Sequence, residues 1–204
     1  MAYIGSRPAD KALQTSDIED SAITSAKIAD GTIASGDLAS GVGGKSSQLV
    51  STVITSTASV SSTTFADMSG CNVTITPSAT NSKILLFGTL VLANSTQYSF
   101  GKFVRSIDGG SYADVTGFIG DAASSRIRTS FENLYQGYDA HLQRSVSFNL
   151  LDNSHNTTSA IIYKLQVRLS SGSTTIYLNQ DPNNGDDTSS SRAVSTIHAM
   201  EILA

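Results

Sequence analysis

The sequence predicts an all-β protein. A C-terminal antiparallel β-sandwich or jelly-roll head over residues 46–204 follows an extended N-terminal segment of five-residue repeats. Three observations predict this. Downstream of Lys45, apolar residues recur with period two, the period of a strand with one buried face. Turn-forming clusters punctuate those runs, and no stretch reads as a convincing helix. Upstream, an isoleucine or leucine falls at every fifth residue: Ile18, Ile23, Ile28, Ile33 and Leu38.

The strands follow in order. "NVTITP" (72–77) sets Val73 and Ile75 on one face, and Cys71 falls in phase with them as a small buried hydrophobe. "SKILLFGTLVLA" (82–93) is a continuous apolar run of strand length and reads as buried on both faces. "RSVSFNL" (144–150) alternates through Val146, Phe148 and Leu150. "AIIYKLQVRLS" (160–170) is the clearest strand, with Ile161, Tyr163, Leu165, Val167 and Leu169 inward and Lys164, Gln166 and Arg168 outward. "TTIYLN" (174–179) and "AVSTIHAMEIL" (193–203) complete the set. "DGG" (108–110) predicts a hairpin turn, because glycine permits positive φ. Residues 121–143 read as a long loop or a short helix.

The repeat aligns as SDIED, SAITS, AKIAD, GTIAS, GDLAS over residues 16–40. In a flat strand a step of five reverses the face each time, and in a helix the stripe drifts by about 140° per step. Neither buries the set. A chain that turns a corner in each pentad points every apolar residue the same way, with Ser16, Ser21, Ala26, Gly31 and Gly36 allowing close approach at the corners. The segment is too poor in apolar surface to fold alone, so its row must meet partners: other copies around one axis, or a groove on a host assembly. "GVGGK" (41–45) reads as a hinge between repeat and head, and lacks the spacing of a phosphate loop.

Composition excludes several function classes. The formal charge is −4 and no basic run occurs, so nucleic acid is not an expected partner. No apolar run spans a bilayer, and no basic start with an apolar core marks a signal peptide. Cys71 is the single cysteine, which suits synthesis in a reducing cytoplasm without disulfides. Charged residues are only 15%, so serine and threonine, about a quarter of the chain, must supply the polar surface, as suits β-structure.

Candidate chemistry is sparse. His141, His155 and His198 lack ligand spacing. "DPNNGDD" places Asp181, Asp186 and Asp187 in one loop, a weak calcium candidate that reads better as a solvated turn. In "FENLYQGYDA", Glu132 and Asp139 form a weak glycosidase pair. Tyr135 and Tyr138 beside them read as subunit or core packing before sugar stacking. The N-x-S/T triplets at Asn72, Asn94 and Asn156 are chance products of a Ser/Thr-rich chain. No cofactor, metal or enzymatic activity is expected.

"ITSAKIADGTIASGDLA" resembles the linker repeats near the N-termini of tail-fibre and appendage proteins of tailed bacteriophages. "MAYIGSRP" is similar to the attachment peptide of such proteins in marine phages. "TTFADMSGCNVTITPSATNSKILLFGTLVLA", "SIDGGSY" and "STIHAMEI" resemble the β-sandwich heads of phage fibres, usually trimers. The resemblance implies a virion-anchoring peptide over 1–15, with Tyr3, Ile4 and Pro8 docking to other virion proteins. It implies a stalk and linker over 16–45, with Ile18, Ile23, Ile28, Ile33 and Leu38 as a trimer core, and a trimeric head over 46–204. The protein would be made in the host cytoplasm and stand on the particle's exterior, its head meeting a host-surface glycan or protein. The alternative is a capsid decoration or virion connector without a receptor. The pentads also resemble pentapeptide-repeat proteins, but five pentads make barely more than one four-pentad coil.

Overall fold

The computed structural model describes residues 14–38, 46–94, 97–133, 141–172 and 174–203. The chain divides into two units, Met1–Gly43 and Gly44–Ala204. The second unit holds eleven described strands: β1 (Ser46–Ile54), β2 (Ala58–Val60), β3 (Ala66–Ile75), β4 (Lys83–Ala93), β5 (Ser99–Ile107), β6 (Ala113–Asp114), β7 (Phe131–Asn133), β8 (Arg144–Asp152), β9 (Ile161–Leu169), β10 (Ile176–Leu178) and β11 (Ser195–Ile202).

Pairing is nested. The first strand joins the last, β1 to β11, with Leu49 opposite Met200 and Ile54 opposite Ser195. Inside that pair β3 joins β9 and β4 joins β8, and innermost β5 takes the short β6 and β7. Cross-pairing of β11 with β4 and of β9 with β5 closes this ribbon into two antiparallel sheets. One runs β1-β11-β4-β8, with β10 and β2 beyond β4; the other runs β3-β9-β5, ending on β6 and β7. Two facing sheets make a β-sandwich, and this nested strand order is that of a jelly roll.

Period-two alternation places the core between the sheets. Ile161, Tyr163, Leu165, Val167 and Leu169 of β9 are buried, while Lys164, Gln166 and Arg168 point outward. They face Ile84, Leu86, Leu90 and Leu92 of β4 and Ile197 and Ala199 of β11 within one apolar cluster. Cys71 is fully buried, and burial pushes its thiol pKa up to about 12, as befits an inert packing group. After β5, Asp108 and Gly109 take φ values of 51° and 70°, and the Gly110 N–H donates to the Ile107 carbonyl at 2.9 Å. Two left-handed central residues make a type I′ turn, the hairpin that "DGG" predicts.

One expectation needs correction. The β4 run alternates from Ile84 to Leu92: Ile84, Leu86, Leu90 and Leu92 are buried, while Leu85, Phe87 and Val91 lie half-buried on the outer face of their sheet. A two-layer sandwich covers one face of each sheet, so this single chain cannot cover both faces of β4. Strands β1, β2 and β5 escape sequence reading. In β1 the inward positions include Gln48 and Thr52, and in β5 both Phe103 and Val104 are buried, so alternation breaks. Of residues 121–143, read as a long loop or a short helix, 121–130 are loop and Phe131–Asn133 form β7.

One close approach is decisive for the β4–β11 pairing. A Cβ on Gly88 would overlap the Thr196 carbonyl oxygen and stand 3.1 Å from Cζ of Phe148. Backbone cannot yield as a flexible side chain does. Gly88→Val is therefore expected to cost at least about 3 kcal/mol, the upper end of overpacking penalties. Urea unfolding of the Ser46–Ala204 fragment checks this through a lowered midpoint at unchanged slope.

The two sheets are also joined by buried polar groups. Asp152 of β8 is fully buried and accepts from Arg105 Nη1 at 2.5 Å, from the Tyr163 hydroxyl at 2.7 Å, and from the Ser154 N–H at 3.0 Å. Glu201 of β11 accepts from Gln48 Nε2 at 2.9 Å and from the Ser78 N–H at 2.8 Å. It thereby ties the last strand to β1 and to the turn before β4.

Candidate assembly segment

Every pentad makes a turn. Residues Thr15–Asp17, Ser25–Lys27 and Ser35–Asp37 form single 3-10 turns. Between them the Ala22 N–H donates to Glu19 O at 3.0 Å and the Thr32 N–H to Ala29 O at 3.2 Å, closing two β-turns. Their third residues, Ser21 and Gly31, have φ of 65° and 79°, as a type II turn requires. Two kinds of turn alternate, so the structural repeat is ten residues. Side chains fasten the corners. Thr32 Oγ1 donates to Ala29 O at 2.6 Å, and Asp37 Oδ2 accepts from the Ala34 N–H at 2.9 Å. The small residues serve the turns differently from the expected close approach. A Cβ on Gly31 or Gly36 would meet nothing within 4 Å, so Gly31 is needed only for its φ.

The apolar residue of each pentad is about half exposed. Ile18 is 43% exposed, Ile23 57%, Ile28 40%, Ile33 50% and Leu38 40%. A core isoleucine such as Ile84 is 0% exposed in the same protein. Fully burying such a side chain is worth about 1.5–3 kcal/mol, so this row carries a large unrealised burial energy.

The other sequence-predicted residues separate clearly. Tyr3, Ile4, Pro8, Tyr135, Tyr138 and Asp139 lie outside the described residues. Glu132 stands exposed on β7, opposite Phe100. His155 is buried and acts structurally, its Nε2 2.7 Å from Ser82 O and its Nδ1 3.1 Å from Thr157 O. Two of the three carboxylates of the acidic loop, those of Asp181 and Asp187, bond within the loop. Asp181 accepts from the N–H groups of Asn184 and Ser191, and Asp187 from those of Ser189 and Ser190. Among the described residues no three His, Cys, Asp or Glu side chains gather in metal-binding reach. An open depression of about 590 Å³ near Ser61, Thr63, Leu169 and Thr175 is lined mainly by hydroxyls and carries no titratable side chain.

No protein-family model matches the chain, and no curated protein matches it. Among solved structures it is similar to a chain of infectious bursal disease virus, Gx strain, at 17% identity over 78% of this chain and 39% of that one, with a TM-score of 0.32. A chain of the Gt strain is similar at 14% identity over 78% of this chain and 41% of the other, also with a TM-score of 0.32. The chain thus spans about two-fifths of the solved chains it matches. Likeness at that level carries no weight for function.

Proposed function

We propose that this chain is a structural, non-enzymatic virion protein of a tailed bacteriophage, a homotrimeric fibre or appendage. Residues 1–15 attach to the particle, the pentads of three copies intertwine as a stalk, and the β-sandwich head is presented outward to a host-surface glycan or protein. The observation that carries the reading is the half-exposed apolar row at Ile18, Ile23, Ile28, Ile33 and Leu38, one residue per turn-forming pentad. A segment that makes regular turns yet leaves Ile18, Ile23, Ile28, Ile33 and Leu38 about half exposed is suited to assembly, and three copies about one axis would cover these side chains with one another. The resemblance of "ITSAKIADGTIASGDLA" to phage linker repeats supplies the biological setting.

Electron microscopy of the negatively stained full chain tests the reading. The expected particles carry three heads on one thin stalk; a field of separate single heads contradicts it. Binding of the head to host cells or a glycan array separates a receptor-binding fibre from a decoration or connector, which binds neither.

A further inference from the structure

Of the asparagines in the sequence, Asn184 alone precedes a glycine. An asparagine side chain is a latent electrophile. The main-chain nitrogen of the next residue can attack its Cγ, expel ammonia and close a five-membered succinimide ring, which is one reason asparagine is thermolabile. The attack asks three things of the fold. The side chain must be free to turn. The nitrogen it meets must not be held in a hydrogen bond. The chain must swing about the bond between them, which a following glycine, having no Cβ, hinders least.

The fold denies these conditions to every other asparagine whose next residue is described. Asn72 and Asn149 lie within the paired strands β3 and β8. Asn179 is fully buried, its Nδ2 donating to Ile54 O at 2.7 Å and to Ser56 O at 3.0 Å. Asn81, Asn153, Asn156 and Asn183 are exposed, but the N–H after each is engaged. The Ser82 N–H donates to Ala79 O at 3.3 Å and the Ser154 N–H to Asp152 Oδ1 at 3.0 Å. The Thr157 N–H donates to His155 Nδ1 at 3.3 Å and the Asn184 N–H to Asp181 Oδ1 at 2.7 Å. Asn184 differs. It is exposed in the loop between β10 and β11, and among the described residues neither its side chain nor the Gly185 N–H has a partner.

We propose that Asn184 is a site of spontaneous covalent self-modification. The Gly185 nitrogen bonds to Asn184 Cγ, and the side-chain nitrogen leaves as ammonia with the proton that Gly185 gives up. Water then opens the succinimide. Attack at the side-chain carbonyl gives aspartate; attack at the main-chain carbonyl gives isoaspartate, whose main chain runs through Cβ. Water is the only co-reactant, and the chemistry depends on neither a partner nor the oligomeric state. An acid replaces an amide, so the formal charge of −4 becomes one unit more negative. The change stays within the loop. At its base Gln180 pairs with Arg192, and the Ala193 N–H donates to Asn179 O at 3.0 Å, so β10 and β11 keep their places.

The test ages the full chain in warm, mildly alkaline buffer. Peptide mapping by mass spectrometry is expected to show the Asn184 peptide gaining about one dalton and splitting into aspartyl and isoaspartyl peaks. Peptides carrying Asn81, Asn153 and Asn156 are expected to keep their mass. On isoelectric focusing, wild type drifts to a more acidic band. Asn184→Gln, whose longer side chain cannot close the five-membered ring, keeps its band. Aged and fresh wild type are expected to melt at the same temperature; a lower midpoint after ageing contradicts confinement of the change to the loop. A synthetic peptide of residues 180–192 supplies the unfolded rate. Conversion of that peptide while Asn184 of the folded chain stays an amide overturns the inference. So does conversion of Asn81, Asn153 or Asn156 as fast as Asn184, since the hydrogen bonds that follow them would then protect nothing.

Discussion

Ile23→Asp is expected to turn the assembled protein into single chains whose head melts at its former temperature. Ile23 is the most exposed of the row at 57%, so over half of its burial energy is still to be gained on assembly. With about 1.5–3 kcal/mol for a fully buried isoleucine, that is roughly 1 kcal/mol per copy, and threefold symmetry repeats the loss at three sites. The substitution also asks the assembly to bury three carboxylates around one axis, where like charges repel, although Lys27, whose Nζ donates to the Ala22 carbonyl at 2.6 Å, offsets part of that repulsion. Loss of the oligomer in sedimentation velocity, with an unchanged far-UV thermal transition of the head, checks it. Ile23→Val, which keeps the apolar surface, should remain assembled.

Asp152→Asn is expected to destabilise the head by about 3–5 kcal/mol, the cost of removing one partner from a buried ion pair. Asp152 is 0% exposed, and the Arg105 side chain is 18% exposed. The carboxylate binds two groups of the opposite sheet, so its loss strands a guanidinium and a phenol between the layers. Burial alone would raise the Asp152 pKa, but hydrogen bonds from Tyr163, Arg105 and the Ser154 amide outweigh it and hold the carboxyl below its usual range. Burial, and then the neighbouring Asp152 charge, pushes the Tyr163 hydroxyl up, so it stays protonated and donates. A depressed carboxylate contributes stability that is complete above its unfolded pKa, about 4, and is lost as pH falls through the folded value. Glu201, whose hydrogen bonds outweigh burial and bring it to about 2, adds to the same window. Wild-type stability should therefore fall steeply below about pH 4. The Asp152→Asn head should start lower and fall less. Urea midpoints between pH 2 and 7 measure both effects. An unchanged midpoint at pH 7 would exclude the network as a staple between the sheets.

Where sequence and structure agree, the signal is local. Strand β9 alternates without a fault, and "DGG" dictates positive φ through chemistry carried by the turn residues themselves. Where they part, the deciding contact is distant. The convergence of Arg105, Asp152 and Tyr163 from three strands belongs to the pairing, and no spacing reveals it. Strand β5 hides its period because Gly101, an inward residue without a side chain, leaves room for the Phe131 ring from β7. The apolar run of β4 shows in sequence, but the layer count decides how many of its faces the chain covers. In the pentads, period five is legible, whereas the ten-residue alternation is marked only by Asp20-Ser21 and Asp30-Gly31, two turn dipeptides ten residues apart. Residues 1–13, most of the span read as an anchoring peptide, and the two tyrosines of 134–140 lie outside the described residues, so their proposed roles rest on sequence alone.

The most direct measurement is the native mass of the full chain by light scattering, beside a chain beginning at Ser46. The account predicts a trimer for the full chain. Without residues 1–45 it predicts a folded head that no longer assembles at the same concentration, because the pentads are gone. A monomer in both, or a trimer indifferent to the truncation, would contradict the pentads as the segment that assembles this protein.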